Sequence, residues 1–175
     1  MTPDPFQILG LPRRFRLDRA AIESAYLAAI AASHPDLAGA DDAAATADAS
    51  ALNDARADLL NSEKRANLLH AALGGPSAAE NRDLPDGFLM EIMTTRQQVE
   101  AAIESGDAAR REEWQRWALE QRAWYEDRAA EVLDAEHPVP AALADLRPTL
   151  NAWRYIERLI EQLDPDYDPN RADFL

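Results

Sequence analysis

The feature that most constrains the fold is a His-Pro-Asp tripeptide between two stretches of helical spacing. From Asp18 to Ser33, apolar residues recur every three or four positions, which predicts a helix with one buried face. The recurring residues there are Ile22, Ala25, Tyr26 and Ala29, and Leu52, Ala55 and Leu59 repeat the pattern downstream. Pro35 lacks an N–H and disfavours the α region for His34, so the first helix must end there. The sequence therefore predicts a helix, a short turn and a second helix.

The rest of the chain also favours helices, because alanine is abundant and β-branched residues are sparse. We expect an all-α protein that opens with a short helix near Asp4. A third helix should run over about 43–60, and Ser62-Glu63 can cap a further short helical run to Leu73. Three longer helices are expected over about 86–105, 107–135 and 140–163. Short connections between long helices favour an antiparallel three-helix bundle.

Two clusters of glycine and proline divide the chain, at 74–77 and at 84–87. The polar segment between them reads as a linker. We therefore predict an N-terminal domain at 1–74, a linker at 75–85, a C-terminal three-helix bundle at 86–164 and a tail at 165–175.

The charge of the chain disfavours nucleic-acid partners. Its 18 Lys and Arg residues against 32 Asp and Glu residues give a formal net charge of −14. Lys64 is the only lysine and there is no basic stripe, whereas nucleic-acid affinity needs clustered cations. The N-terminus carries no signal peptide pattern, and no apolar run approaches a membrane span. We expect a cytoplasmic protein that binds neither nucleic acid nor a membrane.

The sequence offers little for catalysis or metal binding. It contains no cysteine, which excludes disulfides, thiolate zinc sites, cysteine nucleophiles and direct Cys ligation of a cluster. His34 and Asp36 could form an acid–base pair, but no nucleophile or metal ligand accompanies them. His70 and His137 lie on separate segments, and we expect each at the surface or at a helix end. We therefore expect no enzyme, no cofactor and no metal.

A helix, His-Pro-Asp and a second helix together form the signature of the J-domain, the module that stimulates DnaK-type chaperone ATPases. Other parts of the chain resemble HscB, the J-domain co-chaperone family of iron–sulfur cluster assembly. These parts are the runs Ile8-Leu9-Gly10-Leu11-Pro12, Phe15-Arg16-Leu17-Asp18, Leu52-Asn53-Asp54-Ala55, Arg65-Ala66-Asn67-Leu68-Leu69, Phe88-Leu89-Met90-Glu91 and Trp153-Arg154-Tyr155-Ile156. The resemblance covers nearly the whole chain, and it implies a J-domain helical hairpin followed by a three-helix bundle.

The resemblance also implies two partners. His34, Pro35 and Asp36 would stimulate the ATPase of a DnaK/HscA-type chaperone. J-domains usually carry basic residues along the second helix, but here Leu27, Ala28 and Ala32 occupy such places. The cations that could take their role in the chaperone contact lie before and at the start of that helix, and they are Arg13, Arg14, Arg16 and Arg19.

The second implied partner is an IscU-like iron–sulfur scaffold protein, which the bundle would deliver to the chaperone. The residues that match the family's scaffold-binding positions are Leu89, Met90, Met93, Arg154 and Tyr155. In the predicted helices, Phe88, Ile92 and Val99 form a core stripe, while the matching apolar residues fall beside it. A wide apolar face covered by neighbouring helices would give the same pattern.

Three other interpretations stay open at this point. The J-domain could serve a different client, or an all-α adaptor could carry an incidental His-Pro-Asp. A helical-bundle enzyme is the remaining alternative. The aromatic residues of the middle bundle helix, Trp114, Trp117, Trp124 and Tyr125, could line a ligand box, but we expect them in the bundle core.

Overall fold

The computed structural model describes residues 4–32 and 42–166, with no account of the side chains at 42–48. All regular secondary structure within these ranges is helical, which confirms the expected all-α fold. The helices are α1 (Pro5–Ile8), α2 (Arg19–Ala32), α3 (Asp42–Leu60), α4 (Ser62–Ala72), α5 (Phe88–Glu104), α6 (Ala108–Leu133) and α7 (Pro140–Leu163). The tripeptide His34-Pro35-Asp36 lies outside the described residues.

Helices α2 and α3 pack against each other as the predicted hairpin. Ile22, Leu52 and Leu59 are buried on the facing sides, as their spacing predicts. At the edge of this contact, the Arg56 guanidinium donates two hydrogen bonds, of 2.6 and 2.7 Å, to the carboxylate of Glu23. The buried stripes of α2 and α3 are short and rich in alanine, so the apolar contact between the helices is modest. The two hydrogen bonds from Arg56 to Glu23 add to it.

Helices α5, α6 and α7 form the antiparallel three-helix bundle. Gly87 precedes α5 with φ of 78°, a left-handed conformation that glycine adopts without strain. Asp107 caps α6, since its carboxylate accepts the backbone N–H of Arg110 at 3.1 Å. The predicted core residues of α5 and α7 are buried, namely Phe88, Ile92, Val99, Leu146, Leu150 and Trp153.

Three local expectations were wrong. The side chain that caps α4 belongs to Asn61, which accepts the Lys64 backbone N–H at 2.9 Å. The helix begins at Ser62, one residue earlier than a cap at Ser62 would allow. Trp124 is 56% exposed rather than buried. Helix α6 buries a narrow stripe that includes Ala118, Tyr125 and Ala129, and Trp124 lies about 100° around the helix from it. Trp114 and Trp117 are only half-buried.

The two halves of the chain share one packed core. The Phe15 ring meets the Trp153 ring edge-on, with centroids 6.2 Å apart, and Trp153 stacks on Tyr125 at 6.0 Å. The Asp134 carboxylate at the end of α6 accepts the backbone N–H groups of Phe15 and Arg16 at 2.6 and 2.9 Å. Residues from both sides of 75–85 belong to this core, so the predicted division into two domains at this segment stays a prediction.

His70 lies in the last turn of α4, which confirms the helix-end position, one of the two places expected for it. It is buried, and its Nε2–H donates to the Leu143 carbonyl of α7 over 2.8 Å. Gly75 lies so close that an added Cβ would fall 2.3 Å from the imidazole ring. His70 therefore joins α4 to α7 beneath the start of the predicted linker, a role that only the tertiary structure reveals.

His70 should make the stability of the protein depend on pH. Burial lowers its pKa, despite the opposing effect of the hydrogen bond to Leu143. Its stabilisation is therefore fully present above the unfolded pKa of about 6.5 and is lost as the pH falls through the lower folded value. We expect the melting temperature to decline over this range, and His70→Gln, which can still donate an N–H, to reduce that decline.

Thermal melts of both proteins between neutral and mildly acidic pH test this expectation. Burial raises the pKa of the nearby Glu63 carboxyl, so its protonation stabilises the fold in acid and acts in the opposite direction. Because Glu63 is present in both proteins, only the difference between their curves reports His70. Parallel curves would contradict the role given to the imidazole.

Candidate functional site

The bundle exposes a cluster of large apolar side chains on α5 and α7, which we call the α5–α7 patch. Its members are Leu89, Met90, Met93 and Tyr155, which are 54%, 79%, 57% and 38% exposed. The alternative that neighbouring helices cover these positions is therefore wrong, because α5 contacts α6 and α7 through a different face. Exposed apolar clusters of this kind mark interaction surfaces more often than scattered single residues do.

The patch rests on the aromatic core of the bundle. The Tyr155 ring meets the buried Phe88 ring edge-on at 5.7 Å, which joins α7 to α5 beneath the patch. Two residues before Tyr155, the buried Trp153 donates its indole N–H to Glu157 at 2.8 Å. Arg122 of α6 forms an ion pair with the same Glu157 carboxylate. These contacts fix the orientation of α7, and therefore of the aromatic ring that it presents.

Arg154 lies beside the patch, on the exposed side of α7. It makes no ion pair among the described residues, and together with Tyr155 it lines a cavity between α4, α7 and the segment that joins the two halves. The structure therefore exposes all five residues that the sequence assigned to the scaffold site, with three on α5 and two on α7, and the Phe88–Tyr155 contact joins the two helices there.

The residues assigned to ATPase stimulation cannot be placed, since the described residues end at Ala32 and resume at Asp42. The described part of α2 shows the departure noted in the sequence. Leu27 is 63% exposed, and Ala28 and Ala32 are exposed as well. Glu23 on the same helix is bound by Arg56 of α3. This helix therefore presents a mostly uncharged surface rather than a basic one.

The four arginines expected to replace the basic helix fall into two pairs. Arg13 donates to the Asp4 carboxylate at 2.7 Å, and Arg16 reaches Asp127 of α6 at 3.0 Å. Arg14 and Arg19 are exposed and make no ion pair among the described residues. Two of the four arginines are thus paired within the chain. The other two make no ion pair within the described ranges, although Arg19 still attracts the Glu23 carboxylate on the same helix.

The part of the chain that the structure describes contains no group of three or more His, Asp or Glu residues arranged to hold a metal ion. Within the same part, no helix combines the length and hydropathy that a bilayer span needs.

Comparison with known proteins identifies the family. Residues 84–164 match the family model described as the HSCB C-terminal oligomerisation domain. A co-chaperone protein HscB homologue of Bordetella petrii is 30% identical over 165 residues, which cover 91% of this chain and 94% of that protein. The chain belongs to the HscB co-chaperone family. A second HscB homologue, from Chromobacterium violaceum, is 34% identical over 110 residues, which span 60% of this chain and 63% of that relative.

Solved HscB structures share the fold. The chaperone HscB from Vibrio cholerae has a TM-score of 0.67 with 22% sequence identity, and the match covers 92% of this chain and 95% of that one. The crystal structure of the human co-chaperone HscB has a TM-score of 0.73 with 20% identity, over 93% of this chain and 81% of the human chain. These matches confirm the expected architecture of a J-domain hairpin followed by a helical bundle.

One group of residues near this site was missed by the sequence analysis. Arg147 is buried on α7, between the core residues Leu146 and Leu150, and its guanidinium donates to Asn67 of α4 at 2.8 Å. A single arginine on an otherwise apolar stripe was a signal present in the sequence, since buried cations need partners.

Proposed function

We propose that this HscB-family chain stimulates the ATPase of a DnaK/HscA-type chaperone and delivers an IscU-like iron–sulfur scaffold protein to it. The observation that carries the proposal is the exposed α5–α7 patch on a bundle that shares its core with the J-domain hairpin. Membership in a co-chaperone family supports the chaperone partner. The scaffold partner rests on the match between the patch and the family's scaffold-binding residues.

On the chaperone side, His34, Pro35 and Asp36 act by binding rather than by chemistry. An imidazole and a carboxylate offered by a turn can enter the hydrogen-bond network of the partner. If they bind the hydrolysing conformation of the chaperone more tightly than the others, they shift its population toward that conformation. The groups that hydrolyse ATP remain in the chaperone, so the chain acts as an activator and not as an enzyme.

On the client side, the α5–α7 patch supplies apolar anchors. Met90 and Met93 are flexible and polarisable, so they adapt to the shape of a partner surface. Tyr155 adds a large ring whose orientation is fixed by its contact with Phe88. Arg154 supplies a charged group at the edge, where a polar contact adds orientation and specificity.

Delivery requires that the two sites keep a fixed relation to each other. The shared core supports this requirement, since Phe15 before α2 packs on Trp153 of α7. Arg65 of α4 reinforces the same contact, with its guanidinium 5.1 Å above the Phe15 ring and its Nε donating to the Phe15 carbonyl at 2.8 Å. A client held by the bundle would therefore be presented in a constant orientation to a chaperone held by the hairpin.

The proposal is tested by reconstituting three purified proteins from the same host, namely this chain, its DnaK/HscA-type chaperone and its IscU-like scaffold. ATP turnover should rise when the chain is added to the chaperone, and it should rise further when the scaffold is also present. Stimulation without scaffold binding would favour the J-domain protein with another client. No stimulation at all would favour an adaptor in which His-Pro-Asp is incidental.

We expect chaperone binding to weaken as salt is added, with Arg14 and Arg19 carrying the effect. Both are exposed and unpaired among the described residues, and exposed charges are screened over about 8 Å at physiological ionic strength. Arg14→Gln with Arg19→Gln should therefore lower both the affinity and its salt dependence. Titration of the chaperone at several salt concentrations measures both quantities.

The matched control for this prediction is Arg13→Gln with Arg16→Gln. It removes the same charge, but from residues already paired with Asp4 and Asp127. Its effect on binding should be smaller than that of the Arg14 and Arg19 changes. A flat salt response in the unchanged protein would instead indicate contact through the uncharged surface of α2.

A further inference from the structure

A cavity of about 650 Å³ lies between α4, the segment 78–84 and α7. Five cationic side chains line it, which are Lys64, Arg82, Arg147, Arg154 and Arg158. Among the described residues, the acidic side chains that share this lining are Asp58 and Glu63. The local excess of positive charge is notable in a chain whose formal net charge is −14. The cavity would therefore attract an anionic group, whereas the negative charge of the rest of the chain would repel it.

The deepest of these cations has unused hydrogen-bonding capacity. Arg147 is only 4% exposed, and one of its terminal nitrogens donates to Asn67. Its buried Nε has no hydrogen-bond partner in the part of the chain that the structure describes. A buried polar group without a partner costs free energy and calls for a ligand or another explanation. The Glu63 carboxylate attracts the Arg147 charge electrostatically, but no hydrogen bond joins it to this Nε.

The cations at the rim are also available. Arg82, Arg154 and Arg158 are exposed and make no ion pair among the described residues. The ammonium of Lys64 lies 3.5 Å from the Asp58 carboxylate, so these two charges of the lining neutralise each other. Arginine guanidinium groups bind carboxylates with two parallel hydrogen bonds. Several arginines around one cavity therefore suit a peptide segment that carries several acidic side chains.

The cavity is continuous with the α5–α7 patch, because Tyr155 belongs to both. Its lining also includes apolar side chains, namely Leu68, Leu84 and Leu150. Its volume falls within the range of about 300–1,000 Å³ of ligand pockets, and it greatly exceeds the space that one small inorganic anion needs. A peptide segment with acidic and apolar side chains therefore fits both the size and the chemistry of the lining.

We propose that this cavity binds an acidic segment of the same protein partner that covers the α5–α7 patch. The existence of that partner rests on the proposed function. The cavity adds the chemistry by which the partner is recognised. The patch supplies apolar anchors, and the cavity beside it pairs carboxylates with Arg82, Arg158 and the buried Arg147. This second contact orients the partner on the bundle.

The first test compares two variants of equal charge. Arg82→Gln with Arg158→Gln removes exposed cations of the cavity and should weaken binding of the purified scaffold roughly three- to ten-fold, with a reduced salt dependence. Arg116→Gln with Arg128→Gln removes the same charge from the exposed surface of α6 and should leave the affinity unchanged. Equal binding by both variants would overturn the inference, whereas failure of the unchanged protein to bind the scaffold would overturn the proposed function instead.

The second test needs no scaffold. Hexaglutamate, added to the full chain at low salt, should shift the NMR signals of arginine Nε–H groups in the cavity, with Arg147 among them. The shifts should be absent in the Arg82→Gln/Arg158→Gln variant and retained in the α6 control. Shifts spread evenly over the surface would overturn the inference. Inorganic phosphate binding as tightly as the peptide would show a simple anion site and overturn the acidic segment as its ligand.

Discussion

His34→Gln should abolish stimulation of the chaperone ATPase while the fold and the melting temperature stay unchanged. The residue follows α2 in the chain, and the described core of α2 and α3 is built from other residues, such as Ile22 and Leu59. Replacing the imidazole by an amide keeps a polar side chain of similar reach but changes its hydrogen-bond geometry and removes its titration. Steady-state ATP turnover over a range of co-chaperone concentrations measures the effect.

The matched control is His137→Gln, which makes the same chemical change at an exposed position between α6 and α7. It should stimulate as the unchanged protein does. Circular dichroism and thermal melts of both variants separate loss of function from loss of structure. Full stimulation by His34→Gln would contradict the J-domain role of the tripeptide, whatever the bundle binds.

The helices were predictable because their apolar spacing is local information. The boundaries of α7, at Pro140 and Leu163, match the prediction, since Pro140 starts a helix well and its apolar stripe continues through Leu150 and Trp153. The helix even passes over Pro148 without ending, because the long buried face outweighs the one missing N–H. The cap of α4 was predicted wrongly because Asn61 and Ser62 are both good capping residues.

The patch was predictable from the same geometry, since Leu89, Met90 and Met93 lie off the stripe of Phe88 and Ile92. Features that depend on contact between distant segments were not. No periodicity in α4 indicates that His70 meets Leu143, 73 positions away. Likewise, Arg82, Lys64 and Arg158 are far apart in the chain, and only the packing of α4 on α7 gathers them around one cavity.

Met93→Ala with Tyr155→Ala should remove most scaffold binding and leave the bundle folded. Met93 is exposed, and Tyr155 is partly exposed but also packs on the buried Phe88, so truncating the pair costs less core packing than truncating a buried residue does. A few central apolar anchors carry most of an interface's energy, and each is worth about 1–3 kcal/mol on truncation, so the pair should cost at least tenfold in affinity. Calorimetric titration with the purified scaffold measures this loss.

Leu119→Ala with Trp124→Ala is the matched control for the patch. These two apolar side chains of α6 are similarly exposed, at 51% and 56%, but lie outside the patch. Scaffold affinity should therefore be unchanged. A loss equal to that of the Met93 and Tyr155 pair would mean that exposed apolar area in general, rather than this patch, drives binding.

The neighbouring core residues should behave in the opposite way. Trp153 is fully buried between Phe15 and Tyr125, so Trp153→Ala should lower the free energy of unfolding by about 3–5 kcal/mol. Phe88→Ala should also destabilise, because Phe88 is buried beneath Tyr155. Chemical denaturation of the patch double variant and the two core variants, with binding expressed per folded molecule, separates the two roles. If Met93→Ala/Tyr155→Ala unfolds the bundle while the folded fraction binds normally, the patch is part of the core and the scaffold proposal fails.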